Sequence, residues 1–204
     1  MRNRRVFEAV SMAAIAGTFF VSMASPAWSE TVGRTSAVRP NATQSAPGAA
    51  AATLRTNDPI MRNASLDTTG SGALEVTFAD NSKLSLGPNS NAVIDEFVYQ
   101  GPGQAGGSQA LKYTKGVFRF VSGAMPAQKV KVETPTVTIG IRGTEFRIFV
   151  DGVGGSYVAA IQHHVWVTSK LTGKLVELDE GQKVYVGPDG NPGPIENGTG
   201  LPCD

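Results

Sequence analysis

The sequence predicts an all-β fold built from many short strands, and two observations carry that prediction. Apolar residues recur at period 2 in segment after segment beyond residue 57, and turn signals rich in Gly, Asn, Asp and Pro separate those segments at short intervals. Strict alternation puts one side of a strand in a core and the other toward solvent. The 24 glycines and 12 prolines point the same way, because each such residue inside a helix costs roughly 1 to 3 kcal/mol relative to Ala. No stretch after residue 57 carries a sustained helical stripe.

Taken in order, Leu74, Val76 and Phe78 alternate with Glu75 and Thr77, and Val130 and Val132 alternate with Lys129, Lys131 and Glu133. Val137, Ile139 and Ile141 are spaced by Thr136, Thr138 and Gly140, and Phe146, Ile148 and Val150 follow at the same interval. Tyr157, Ala159 and Ile161 continue the pattern, then Val165 with Val167, Val176 with Leu178, and Val184 with Val186. Turn signals stand at 67–72, 79–82, 87–90, 151–155 and 172–173. Their spacing fits a sandwich, a barrel or a solenoid, and no internal repeat selects the solenoid. Gly143, inside a strand pattern, marks a bulge or a close backbone approach.

The body predicted from this pattern spans residues 58–187. Before it, residues 1–29 have a basic start (Arg2, Arg4, Arg5), an apolar run over 10–23 and small residues at Ala24, Ala27 and Ser29, the layout of a secretory signal peptide. Cleavage after Ser29 or Ala27 fits; an uncleaved anchor is the competing reading, since the run is only a little short of the ~20 residues needed to span a bilayer. The expected location is the periplasm or the exterior, with no stable membrane span after cleavage. Residues 30–57, rich in Ala, Thr, Ser, Pro and Gly, read as a disordered linker, because alone they cannot bury enough apolar surface to offset their ordering entropy. Residues 188–204 read as a flexible Pro/Gly-rich tail unable to continue a sheet ladder. Cys203 is the single cysteine and reads as a tail residue, so no internal disulfide forms.

Charge narrows the partners. Without Arg2, Arg4, Arg5 and Glu8 the chain carries 15 basic and 16 acidic residues, and a nearly neutral protein lacks the diffuse positive field that binds phosphate backbones or anionic lipid. No nucleic acid partner is expected.

Candidate chemistry is sparse. Gly101-Pro102-Gly103-Gln104-Ala105-Gly106 spells GxGxxG, but the third glycine opens another strand-like run (109–113) instead of the helix that a pyrophosphate requires, so it reads as a hairpin connection. His163 and His164 are the only histidines. On a strand they point to opposite faces, His163 with Val165 and Val167 and His164 with Trp166 and Thr168, and no acidic group or Cys stands nearby in sequence to complete a metal site. Asp95-Glu96 fails as a glycosidase pair by the same alternation. No serine stands in a nucleophile elbow. The expectation is a non-enzyme without cofactor or metal.

Three segments then resemble a known family: Gly87-Pro88-Asn89-Ser90 followed by Ile94-Asp95-Glu96-Phe97-Val98-Tyr99; Lys115-Gly116-Val117-Phe118-Arg119-Phe120-Val121-Ser122-Gly123; and Thr134-Pro135-Thr136-Val137-Thr138-Ile139-Gly140-Ile141-Arg142-Gly143-Thr144-Glu145-Phe146. In this order they resemble the FecR domain, the periplasmic portion of regulators that sense outer-membrane siderophore transporters. The resemblance covers residues 58–187. It implies a periplasmic all-β domain with β-helix-like or sandwich-like stacking of short strands, acting through protein contacts and without cofactors.

The full-length regulators carry a cytoplasmic anti-sigma segment ahead of a membrane helix and a further domain after the FecR domain. With five residues before Val6 and a short tail after Gly187, the expectation is a stand-alone exported FecR-like domain. Two functions follow from the resemblance. One is a binding or scaffolding module of the cell envelope that contacts a protein or a polysaccharide; the other is a component of a siderophore-sensing, sigma-regulator signalling system. A groove lined by Trp166, Tyr99 and Tyr113 would favour sugar. Arg142, Gly143, Thr144 and Glu145 are the signature and the candidate contact residues, set against a structural reading in which Gly143 forms a bulge, Thr144 joins the ladder and Arg142 pairs locally.

Overall fold

The structure is a computed structural model that describes residues 30–101, 106–141 and 143–202. The signal segment, Arg142 and Cys203 lie outside the described residues. Among the described residues, seventeen strands, β1 to β17 in chain order, form one continuous sheet folded into two layers. The first layer runs, in spatial order, β4 (Pro59–Met61), β1 (Thr31–Arg39), β6 (Ala73–Phe78), β7 (Lys83–Leu86), the second half of β9 (Gly107–Val121), β12 (Glu145–Val150), β13 (Ser156–Gln162), β16 (Gln182–Val186) and β17 (Glu196–Asn197). The second runs β3 (Ala52–Thr53), β2 (Ala42–Ser45), β5 (Ser65–Thr68), β8 (Asn91–Tyr99), the first half of β9, β10 (Val130–Glu133), β11 (Val137–Ile141), β14 (Val165–Ser169) and β15 (Leu175–Leu178). Among these pairings only β9 with β10 is parallel.

The sheet does not close into a barrel. From β10 on, successive hairpins alternate between layers, β10–β11 and β14–β15 in the second, β12–β13 and β16–β17 in the first. Each pair thus adds a rung to one layer, a solenoid-like progression within a sandwich-like body. β9 joins the layers: residues up to Lys115 pair with β8, and from Gly116 the strand pairs with β12. Gly116 is the corner, with φ +96° and Ser90 where a side chain would stand. Only glycine adopts that backbone readily.

The core lies between the layers and holds the alternating residues expected of it. Leu74, Val76, Phe78, Val132, Val137, Ile139, Phe146, Ile148, Val165 and Val167 are buried. Phe78 of the first layer stacks on Phe97 of the second at 5.3 Å between ring centroids, and Tyr113 stacks on Phe118 at 4.2 Å. Burying such side chains stabilises the fold by roughly 1.5 to 3 kcal/mol each.

Three expectations are corrected. Residues 30–57 are not a disordered linker: β1 runs antiparallel along β6 from Gly33–Phe78 to Arg39–Ala73, and Val32, Ala42 and Leu54 are buried. The segment's apolar residues, mostly alanines, follow no strand period; the neighbouring strands β5 and β6 supply both the buried surface and the hydrogen bonds. Residues 188–202 are likewise built in. β17 pairs Glu196 and Asn197 with Lys183 and Gln182, and Leu201 is buried. The ladder here uses the N–H groups of Gly187 and Gly193, bonded to Asn191 and Tyr185 carbonyls, and so bypasses the prolines. In β13 the inner face is Ser156, Val158 and Ala160; Tyr157 and Ile161 are only half-buried. That strand is apolar at both parities, and the outer rings of Phe149 and Tyr185 give Tyr157 a partner on the other side.

Candidate functional site

The segment around Gly143 turns the chain from β11 in the second layer to β12 in the first. Gly143 lies in the turn between those strands, with φ +57° and no atom within 4 Å of where a Cβ would be. It is therefore neither a strand bulge nor a close approach; the backbone conformation alone calls for glycine. The bulge falls on the partner strand, where the register passes from Glu145–Gln162 to Phe146–Ala160 and leaves Ile161 unpaired.

Thr144 is buried, and its hydroxyl donates to the Gln162 carbonyl. The Ser122 hydroxyl donates to the Thr144 carbonyl at 2.7 Å and accepts from the Thr144 N–H at 2.9 Å. Glu145 Oε1 receives a 2.7 Å bond from Arg119 Nε on the outer face of the first layer, and that bond raises the guanidinium pKa further. Gly143→Val should lower stability by about 1 to 3 kcal/mol, the range for a β-branched residue held at positive φ. Thermal unfolding checks it, and an unchanged Tm would mean that the turn relaxes without cost.

The other signature segments do the same work with hydroxyls. Thr68 Oγ1 donates to the Gly87 carbonyl at 2.6 Å and accepts from the Ser90 N–H at 3.0 Å, while Ser90 Oγ accepts from the Val117 N–H at 2.9 Å. In the 134–136 turn, Thr136 Oγ1 donates to Ser156 Oγ at 2.8 Å, and Ser156 Oγ donates to Thr134 Oγ1 at 2.7 Å. Each hydroxyl satisfies a buried polar group where a turn of one layer meets a strand of the other. At the opposite end of the body, Asp80 is fully buried. Its Oδ1 accepts from the Ser82 N–H (3.0 Å) and hydroxyl (2.6 Å), and its Oδ2 accepts from the Met125 N–H (3.3 Å).

The other candidates are relocated. Gly101 and Gly107 flank a hairpin connection between antiparallel β8 and β9, with Tyr99 opposite Gly107, as the absence of a following helix implied. Residues 102–105 lie outside the described residues. Asp95 and Glu96 both face solvent, because the register shifts between Ile94 and Glu96 and interrupts the alternation. They act apart, Asp95 with Lys112 at 2.9 Å and Glu96 with the Ser108 hydroxyl at 2.5 Å.

His163 and His164 are in the β13–β14 turn, not on a strand; His163 has φ +59° and both are exposed. Acidic groups do come near them, from β15 and the turn after it. His164 Nδ1 lies 2.9 Å from Asp179 Oδ1 and 3.9 Å from Glu177 Oε1. Among the described residues no group of three or more His, Cys, Asp or Glu side chains is arranged to hold a metal ion.

Trp166, Tyr99 and Tyr113 do not line one exposed groove. Tyr113 is in the core, where burial pushes its hydroxyl far above the usual range. Trp166 stands opposite Gly140 on the outer face of the second layer. A row of aromatics forms instead on the outer face of the first layer. Phe149, Tyr157 and Tyr185 stand in cross-strand register on β12, β13 and β16. Ring centroids are 6.1 Å apart for Phe149–Tyr157 and 4.3 Å for Tyr157–Tyr185. The Tyr185 hydroxyl donates to Asp151 Oδ2 at 2.9 Å, and Asp151 Oδ1 accepts from the N–H groups of Val153 and Gly155. The available signal was parity: Phe149 and Tyr185 occupy the solvent-side positions of strands whose inner residues are Ile148, Val150, Val184 and Val186.

A second surface feature is the free edge of the second layer. Among the described residues β15 pairs only with β14, and Leu175 on it and Leu171 in the preceding turn are 62% and 71% exposed.

The family model described as FecR protein matches residues 64–165, half of the chain. Two crystal structures of a candidate anti-sigma factor from Parabacteroides distasonis, at 2.50 and 1.65 Å resolution, share the fold at a TM-score of 0.53 with 14% identity. The likeness covers 66% of this chain and 59% of that one. No curated protein sequence matches the chain.

Proposed function

Because the chain belongs to the FecR family, we propose that it is a non-enzymatic, exported module of the bacterial cell envelope that binds a protein partner within a signal-transduction system. The fold shared with a candidate anti-sigma factor supports the link to regulation. The observation that carries the protein contact is the open β15 edge with Leu171 and Leu175 beside it. An unpaired strand offers a row of N–H and C=O groups to an incoming extended segment, and adjacent exposed leucines supply the apolar contact. The Gly143–Glu145 segment contributes by fixing the backbone, since Thr144 and Glu145 are both engaged within the domain. A polysaccharide ligand is the second reading, favoured by the aromatic row on the other layer.

A photo-crosslinking residue at position 175, expressed in the source cells, tests the protein contact. A discrete adduct with an envelope protein is expected, carried by a chain recovered from the periplasmic fraction with its N-terminus at or near Glu30. Introducing Leu171→Lys should abolish the adduct. Equal crosslinking from position 175 and from an arbitrary exposed site would refute the β15 contact, and recovery of Met1 from cytosol would refute export.

A further inference from the structure

A trough of about 360 Å³ opens between the 87–91 and 151–155 turns, and Phe149, the end ring of the aromatic row, forms part of its wall. Pro88, Val117 and Val150 add to the apolar lining, and Asn89, Lys115 and Asp151 bring polar groups to it. We propose that this trough binds one sugar ring of a neutral, β-linked polysaccharide, with Phe149 as the stacking surface and Asn89, Lys115 and Asp151 as hydrogen-bonding partners. The inference deepens the polysaccharide reading and does not depend on the protein contact at β15.

Four features of the surface fit that ligand. Binding sites for small ligands are concave and mostly apolar, with a few placed polar groups, and the volume lies within their usual range of about 300 to 1,000 Å³. The polar set is matched to a hydroxylated, uncharged ligand, because Lys115 and Asp151 bring opposite charges and Asn89 an amide. The wall is held in place from behind. Phe149 packs on Tyr157, Tyr157 on Tyr185, and the Tyr185 hydroxyl returns to Asp151, so ring and carboxylate are fixed together. Gly155 makes that return possible, since a side chain there would collide with the Tyr185 hydroxyl and Asp151. Rigid aromatic surface with few rotatable bonds binds at low entropic cost.

The shape also argues against a protein occupant. The row is one residue wide across β12, β13 and β16, about 10 Å for two strand spacings, and its neighbour on one side is the row of Arg119, Arg147, Ala159 and Lys183. Arg119 is paired with Glu145, and Lys183 lies 3.5 Å from Glu196. A protein interface needs a broad desolvated centre within ~800 Å² per partner. A narrow apolar strip with a charge-compensated border suits an extended chain of pyranose rings, whose apolar faces stack on aromatic side chains while their hydroxyls meet the border.

Isothermal titration of the exported chain with cellohexaose and with chitohexaose tests the site, the two arms separating a plain hexose polymer from an N-acetylated cell-wall sugar. Saturable binding of at least one hexamer is expected. Phe149→Ala should weaken it at least tenfold and Lys115→Ala severalfold, with Tm within a few degrees of wild type for both. Lys115→Ala stays interpretable even if Phe149→Ala unfolds, because Lys115 is exposed and outside the core. Binding that both variants leave unchanged overturns the trough and leaves the polysaccharide reading standing. No heat with either hexamer overturns both, as does loss of envelope-protein crosslinking in Phe149→Ala without any sugar binding.

Discussion

Phe146→Ala should lower the unfolding free energy by about 3 to 5 kcal/mol, the usual cost of emptying a buried aromatic site. Phe146 is fully buried, and its ring packs 5.5 Å from that of Phe120, its direct cross-strand partner. The cavity would open where the second half of β9 meets β12, and both strands are held by neighbours on their far sides, so the site cannot collapse freely. Against a typical total of 5 to 15 kcal/mol the loss is large, and at roughly 2 to 4 °C per kcal/mol it lowers Tm by on the order of 10 °C. Urea unfolding followed by Trp fluorescence measures it. A loss below about 1 kcal/mol would show that Phe120 moves to fill the space.

The second large effect is expected at Asp80. Its carboxylate accepts three hydrogen bonds in a site with no exposure, from the Ser82 N–H, the Ser82 hydroxyl and the Met125 N–H. Asp80→Ala leaves those donors buried without an acceptor, at about 1 to 3 kcal/mol for each stranded group. The sum should reach several kcal/mol, comparable with Phe146→Ala despite a far smaller change in volume. Asp80→Asn keeps one acceptor oxygen and should recover part of the loss in the same urea titration. If Asp80→Ala and an exposed control such as Glu96→Ala unfold at the same denaturant concentration, the buried carboxylate has no structural role.

Much of this fold was legible in the sequence, and the residues that misled share a cause. Period 2 is a signal that a strand gives about itself, and it located Leu74 to Phe78, Val137 to Ile141 and Phe146 to Val150 with the correct faces inward. It is silent about a strand whose burial is supplied by a neighbour. β1, with Val32 and Thr35 inward and little else apolar, is a strand because β6 lies alongside it. Bulges defeat the same logic, since one extra residue reverses parity; Asp95 and Glu96 on one side and Ile161 in β13 show this. The histidines were misplaced because a turn intervened, and their acidic neighbours Glu177 and Asp179 arrive from β15 and its following turn, more than a dozen positions away.

The candidate surface was less legible still. A solvent-side aromatic in one strand is unremarkable by itself, and Phe149, Tyr157 and Tyr185 become a row only when the register of β12, β13 and β16 is known. The signature segments, by contrast, were easy to see and turn out to mark hydroxyls that fasten turns: Ser90, Thr134, Thr136 and Thr144.

The passage of β9 from one layer to the other at Gly116 has a kinetic consequence. Because a single strand supplies a central member of both layers, neither layer can detach while the other stays intact, and no half of the body is a separable folding unit. Opening must therefore be all or nothing for the amides of β9, whose protection from solvent exchange tracks the global stability, while short edge strands such as β3 and β17 fray first. The pairings that β9 depends on are distant in sequence, from Leu84 to Phe120 and from Phe120 to Phe146, so the chain has to close long loops before any of them rewards it. Slow folding, with a native state that then opens rarely, is what that wiring favours.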